Sequence, residues 1–297
     1  MLNLYTLSQF KVVAETEHIT KASEELHIAQ SSLSRKITSL EEELGVQLFD
    51  RIGKNIVLND YGRIVLRHTD AMLREADAIY KEIQDLQGET ESVVRISMQA
   101  ATKLLSGLVV GFKEEHPDIH LEIYQNELKK GQDDFCDLII FSEDVERKLE
   151  KNTTLLLAEE VYLGLPLNHP LTKYESIDLR LAQDLEFICL PKGKAIRTLT
   201  DNVCSAAGFE PKIRIECDSP ETVRQLISLG QGVSFVPAIT WRGMGTEKMV
   251  LRPLSYPTAR RYMYISYHEN AYMSRAAKLL LNYIIRYFAS LEKEAGL

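Results

Sequence analysis

"IAQSSLSRKITSLEEELGVQLFDR", residues 28–51, decides how the first half of this chain is read. Leu33, Ile37, Leu40 and Leu44 fall at offsets of four, seven and eleven, which puts one apolar stripe on a helix. Gly45 is placed to end that helix in a left-handed cap. Gln30, Ser31, Ser32, Ser34, Arg35 and Thr38 crowd the opposite face near its start. Polar groups packed so densely at one helix end point to something outside the fold.

Upstream, "LSQFKVVAET" sets Leu7, Phe10, Val13 and Ala14 at helical spacing. In "HITKASEELHI", Thr20 is expected to cap a second helix, with Ala22 and Leu26 facing inward. Two short helices joined by a tight turn, the second polar at its start, make a helix-turn-helix. In that arrangement the second helix enters the major groove and its first residues touch base edges. Arg35 can donate two hydrogen bonds to guanine, Gln30 can pair with adenine, and the serines can donate or accept. Downstream, "VQLFDRIGKNIVLND" offers Phe49 to seal the small core. Arg51 and Lys54 flank a turn at Gly53, and "NIVLN" returns as a strand. That hairpin is a wing with basic residues for phosphate. The competing reading of the same face is a solvated helix surface with no partner.

"AQSSLSRKITSLEEELGVQLFDRIGKNIVLNDYG" resembles the N-terminal domain of the LysR-type transcriptional regulators. The resemblance is carried by Gln30, Ser31, Ser32, Ser34, Leu40, Glu41, Leu44, Gly45, Leu48, Phe49 and Arg51. There are two departures. Ser31 stands where many members have Pro, and Asn59–Asp60 replaces a Thr-Pro or Thr-Ala pair. Both Asn59 and Asp60 can cap the following helix.

From Asp60 to Gln87 there is no proline, and the only glycine, Gly62, lies in the first turn. Val65, Met72, Ile79 and Leu86 repeat every seven residues, as do Thr69, Ala76 and Ile83. These are the two positions of a coiled-coil seam, on a helix roughly 40 Å long. A helix with one narrow apolar seam is poorly stable alone, which predicts pairing with a second copy; packing on its own domain is the alternative. The resemblance implies that this segment is a dimerisation helix. "QGETES", residues 87–92, reads as a hinge.

The composition restricts the partners. The net charge is −8, and residues 1–88 hold 10 Lys and Arg against 14 Asp and Glu. Binding to double-stranded DNA therefore rests on a local basic patch and on shape rather than on bulk charge. No run of 18 apolar residues occurs, so no membrane span is expected. The N-terminus lacks the pattern of a secretion signal, which predicts a cytoplasmic protein. Cys136, Cys189, Cys204 and Cys217 are far apart and form no CxxC pair, so they read as small buried thiols, with no metal site.

The last two hundred residues alternate strands with helices. Strands are read at "SVVRISM", "IHLEIYQ", "CDLIIF", "LEFICLP", "KIRIEC" and "VSFVP". Helices are read at "LLSGLVVGFKEEHP", "KAIRTLTDNVCSAAG", "SPETVRQLISLG" and about Tyr272 to Leu291. The alternation implies an α/β fold with mainly parallel strands. No G-x-S-x-G, P-loop or HExxH is present, so neither an enzyme nor a cofactor is expected.

"GFKEEHPDIHLEI", "LPLNHPL" and "CDSPETVRQLISLGQGVSFVP" resemble the LysR-type effector domain. The resemblance implies two α/β lobes like those of periplasmic binding proteins, with a small molecule between them. The expected domains are residues 1–59 (winged helix-turn-helix), 60–88 (linker helix) and 89–297 (effector domain). Lobe I would take about 91–162 and 267–297 and lobe II about 163–266, with the return crossing near Tyr264–Tyr267. Ligands in such folds sit at strand carboxyl ends and helix N-termini. That selects Gln99, Ala101 and Thr102 on lobe I, and Lys194, Ala195, Ile196, Arg197, Ser219 and Pro220 on lobe II. Lys192, Lys194 and Arg197 favour an anion. "NELKKGQDDF" is shorter than the family's usual helix at that place. The whole reads as a regulator that senses a small molecule and binds operator DNA as a dimer or tetramer, with RNA polymerase among the partners this implies. The alternative is a small-molecule-binding protein whose helical segment only oligomerises.

Overall fold

Phe10, Leu33 and Leu48, none of them reached by solvent, form the centre of the N-terminal unit in the computed structural model of the protein. Residues 2–52, 55–87, 93–125, 136–241, 248–269 and 271–295 are described. Helices α1 (Leu4–Thr16), α2 (Ile19–Glu25) and α3 (Gln30–Leu44) enclose this core, and Phe49 closes it from below. Gly45 is left-handed at φ 71°, and its N–H donates to Glu41 and Glu42 carbonyls. The cap of α2 differs from expectation. His18, not Thr20, takes that place, and its ring accepts from the Lys21 N–H. The helix starts one residue before Thr20, which leaves Thr20 inside the first turn.

Strands β1 (Phe49–Ile52) and β2 (Asn55–Leu58) pair antiparallel as the wing. Gly53 and Lys54 lie outside the described residues. Asn59 accepts from the Gly62 N–H at 3.0 Å and starts α4 (Asp60–Gln87). The close fit of α4 to the wing needs Gly62, because a Cβ there would collide with the Leu48 carbonyl and the Leu58 side chain. Lys11 of α1 and Asp70 of α4 form a buried ion pair at 2.5 Å. The hinge residues 88–92 and the connection 126–135 also lie outside the described residues.

The C-terminal domain has two apolar cores. In lobe I, β3 (Val93–Met98) pairs parallel with β4 (His120–Tyr124) and β5 (Leu138–Glu143), and α5 (Leu105–Glu115) and α8 (Arg275–Ala295) pack on each other in the same core. In lobe II, β8 (Glu186–Cys189) and β9 (Lys212–Glu216) pair parallel beside α6 (Ala195–Ala206) and α7 (Pro220–Ser228). Short β7 (Ile177–Asp178) and β12 (Leu254–Tyr256) lie at its edge.

The mainly parallel sheet expected from the alternation holds only within each lobe. The lobes are joined by β6 (Thr153–Pro166) and β13 (Arg260–Ser266), which run antiparallel to each other. Strands β10 (Ser234–Pro237) and β11 (Met249–Arg252) also pair antiparallel with β6. Two chain crossings in opposite directions require antiparallel neighbours. The return crossing also comes earlier than Tyr264–Tyr267: Ala259 packs in the lobe II core, whereas Met263 and Ile265 pack in that of lobe I. The final helix begins at Arg275 rather than Tyr272, with the Ser274 hydroxyl accepting from the Ala277 N–H.

Candidate functional site

Helix α3 turns Leu33, Ile37 and Leu40 inward and leaves Gln30, Ser31, Ser32, Ser34, Arg35 and Thr38 at its surface. One face is held by the core, so the other is presented rigidly. Ala29 at the N-cap makes no side-chain hydrogen bond. The first N–H groups of α3 therefore point outward, where phosphate oxygens are good acceptors. Arg51 is exposed on β1; Lys54, its expected companion, lies outside the described residues.

The seam on α4 is only partly as the heptads predict. Leu86, Ile79, Ile83 and Met72 are 84, 57, 47 and 36% exposed, and Ala76 is half-buried. Thr69 is completely enclosed and Val65 packs on the core of the N-terminal unit. Thr69 is closed to a second chain, whereas Val65 is only half-buried. A straight helix repeats every 3.6 residues, so a strict heptad drifts around its surface. Near its start the exposed stripe passes through Tyr61 and Ile64 instead, and α1 covers the Thr69 side.

The far end of α4 is fastened to lobe I. Asp85 accepts from the Tyr272 hydroxyl and from the Arg275 N–H, each at 2.8 Å, so the linker caps α8. The bond to Asp85 pushes the Tyr272 phenol up to about 12. Lys81 bridges Asp77 and Asp137, at 2.8 and 2.7 Å. A cavity of about 720 Å³ lies here, between α1, α4 and lobe I. Much of its charged lining is satisfied internally, as by Arg95–Glu122 and Lys81–Asp137.

The carboxyl ends of β3 and β5 face those of β8 and β9 across the interlobe cleft. Two contacts close over it: Asn202 of α6 donates to Asp144 at 2.5 Å, and Lys103 approaches Glu221 of α7 at 3.9 Å. Gln99 and Thr102 are half-buried on lobe I, and Ala101 between them is left-handed at φ 56°. Lys194 and Ala195 open α6, while Ser219 caps α7 by accepting from the Thr222 N–H, with Pro220 first in the helix.

Three expectations for this cleft fail. The Ala101 side chain is buried in the lobe I core. The Ile196 side chain belongs to the lobe II core. Arg197 is buried and already neutralised: it donates to Asp201 at 3.0 Å and Glu216 at 2.7 Å. Burial opposes its charge, but these two carboxylates outweigh it and raise its pKa. The sequence spacing i, i+4 to Asp201 was a legible sign of this pairing. Arg224, which nothing in the sequence pattern singles out, has no such partner among the described residues. Burial pushes the Cys189 and Cys204 thiols up to about 12, so they are protonated and inert at neutral pH.

Among the described residues no helix is long and apolar enough to cross a membrane. Residues 4–63 match the family model for bacterial regulatory helix-turn-helix proteins of the lysR family, and residues 87–289 match the LysR substrate binding domain. The chain is 33% identical to the HTH-type transcriptional regulator YybE of Bacillus subtilis, covering 95% of this chain and 98% of that protein. It is 30% identical to the transcriptional dual regulator GltC of the same organism, over 98 and 99%. Its fold is similar to that of a full-length OxyR variant from Pseudomonas aeruginosa, at a TM-score of 0.69 and 24% identity over 96 and 95% of the two chains. Full-length BenM gives 0.55 and 25% over 97% of each. A helix-turn-helix with an exposed polar face at one end, a two-lobed domain at the other and both family matches lead to one conclusion: this chain belongs to the LysR family of bacterial transcriptional regulators.

Proposed function

We propose that two copies of this chain, paired along α4, set Gln30, Ser31, Ser32, Ser34, Arg35 and Thr38 of each α3 into successive major grooves of operator DNA. Arg51 and Lys54 of each wing hold the flanking phosphates. The observation that carries this reading is the two-sided burial of α3. Its apolar stripe is fixed by the core, while its polar face stands toward solvent. Met72, Ala76, Ile79, Ile83 and Leu86 supply the pairing surface of the dimer, whether or not two dimers join as a tetramer.

A small molecule enters the interlobe cleft between Gln99 and Thr102 on one side and Lys194, Ala195, Ser219 and Pro220 on the other. It favours one lobe arrangement and shifts the placement of the DNA-binding pairs by its difference in affinity for the two arrangements. The fastening of Asp85 to α8 supports this coupling, because it ties the linker to lobe I directly. The protein works in the cytoplasm as a regulator rather than an enzyme, and RNA polymerase is its partner at activated promoters. The family matches disfavour the alternative of a ligand-binding protein that only oligomerises.

The test is operator binding by Arg35→Ala. Loss of a bidentate base contact costs about 1–3 kcal/mol of specific affinity, while an exposed side chain leaves the unfolding curve where it was. Unchanged discrimination between operator and random DNA rejects the recognition-helix assignment. Affinity also falls steeply with salt, since Arg51, Lys54 and their symmetry mates displace counterions.

A further inference from the structure

Arg224 is 1% exposed, and its Nε, Nη1 and Nη2 all lack a hydrogen-bond partner among the described residues. An arginine carries its charge under nearly all conditions, so an enclosed guanidinium without acceptors is costly. Arg197 shows the usual remedy in the same lobe, with two carboxylates around it. Nothing comparable serves Arg224 among the described residues: burial alone lowers its pKa, with no charged neighbour contributing.

Its position gives the isolation a meaning. Arg224 sits one turn into the nine-residue α7, whose first turn borders the cleft through Glu221 and Lys103. Side chains on a helix lean toward its N-terminus. The guanidinium of Arg224 is thus carried toward the Ser219–Pro220 end, where the helix dipole also favours negative charge. Glu221, three residues earlier on the same side, is turned to Lys103 of lobe I instead.

We propose that Arg224 is the anion-recognition residue of the effector site, and that the effector is a small organic molecule bearing an oxyanion, a carboxylate or a phosphate. The inference rests on the interlobe cleft being that site. The fork of Arg224 receives the oxyanion through two parallel N–H···O bonds. Access requires the lobes to part, which breaks the Lys103–Glu221 and Asn202–Asp144 contacts, and the bound anion then supplies the acceptors that Arg224 lacks. The anion site is therefore on α7, not at Arg197 on α6.

The experiment is thermal unfolding of the full-length protein without DNA. The probes are succinate and inorganic phosphate, against succinamide and sodium chloride at matched ionic strength. A ligand that binds only the native state raises its melting temperature. In the wild type, at least one anion raises it by about 2 °C or more at saturation, and the two controls do not. Succinate acting alone identifies a carboxylate effector, and phosphate acting alone a phosphorylated one. In Arg224→Met the half-saturating concentration rises about tenfold or more, the loss expected for a charge-assisted hydrogen bond. Arg224→Lys, which keeps the charge but not the fork, falls between. Without ligand, Arg224→Met melts at or above the wild-type temperature, because an unpaired buried charge has been removed. Equal anion shifts in wild type and Arg224→Met overturn the proposal while leaving the cleft as an effector site. A wild type indifferent to both anions overturns it also. So does a ligand-free Arg224→Met that melts well below the wild type, because the guanidinium then serves the fold itself. Operator binding plays no part in these readouts, so its failure is a separate result.

Discussion

Glu159 and Arg261 stand directly opposite each other on β6 and β13, and their side chains meet at 2.7 Å with almost no solvent contact. These are the two strands that join the lobes. Glu159 also accepts from the Ile239 and Thr240 N–H groups and from the Thr240 hydroxyl, at 2.8, 2.8 and 2.7 Å. One buried carboxylate therefore ties both crossing strands to the segment that follows β10. Under the proposed lobe motion, this cluster is the pivot, because it holds both strands that join the lobes.

Glu159→Gln leaves Arg261 as an uncompensated buried charge. The expected cost is about 3–5 kcal/mol, the range for breaking one side of a buried pair. Urea unfolding measures it. Replacing Arg261 as well, by Met, recovers only part of the loss, because the backbone donors at 239 and 240 still lack their carboxylate. Full recovery in the double variant means that the ion pair, not the backbone clamp, is what matters at the pivot.

Gly62→Ala pushes a methyl group into the Leu48 carbonyl and the Leu58 side chain. Overpacking of this kind costs about 1–3 kcal/mol. Because Leu48 and Leu58 bracket the wing, operator affinity falls together with the melting temperature. A variant with lowered stability but unaltered DNA binding shows that the wing tolerates displacement.

Cys189 and Cys204 favour the protonated thiol in the folded state, with values of about 12 against an ordinary 9. A raised folded value means that the stabilisation is fully present below pH 9 and is lost as pH climbs from about 9 to about 12. Unfolding measured from pH 7 to 10 should show stability declining only toward the alkaline end. Under native conditions at pH 8 an alkylating reagent should reach Cys217, which is half-buried, well before Cys189 or Cys204. Rapid labelling of Cys189 in the folded protein contradicts this burial.

Asp85→Ala removes the cap that the linker provides to α8. A lost N-cap costs about 0.5–2 kcal/mol, and the Tyr272 phenol, relieved of its bond to Asp85, falls from about 12 toward its ordinary value of 10. Ultraviolet titration of tyrosinate absorbance reads the second effect separately from the first. Should Asp85 transmit effector binding, the variant also uncouples ligand from operator affinity. An unchanged tyrosine titration rules out the contact.

The helix-turn-helix was legible because its signals are local. Leu33, Ile37 and Leu40 at helical spacing, Gly45 at the stop and a polar patch on the other side each specify the same short unit, and the family resemblance rests on that stretch. The lobes were legible in outline for the same reason, through Ser219–Pro220 and the strand-helix alternation. Long-range pairing was not. Thr69 fits a heptad in sequence, yet α1, more than fifty residues earlier, encloses it. β6 crosses from one lobe to the other, which only its neighbours β13, β10 and β11 reveal. Arg197 and Arg224 look alike as letters, both basic and both near a helix start. Which of them is neutralised depends on where Glu216 lies in the fold and on what is missing around α7. Periodicity records which face of a helix is apolar; the identity of the group packed against that face is set only when distant segments meet.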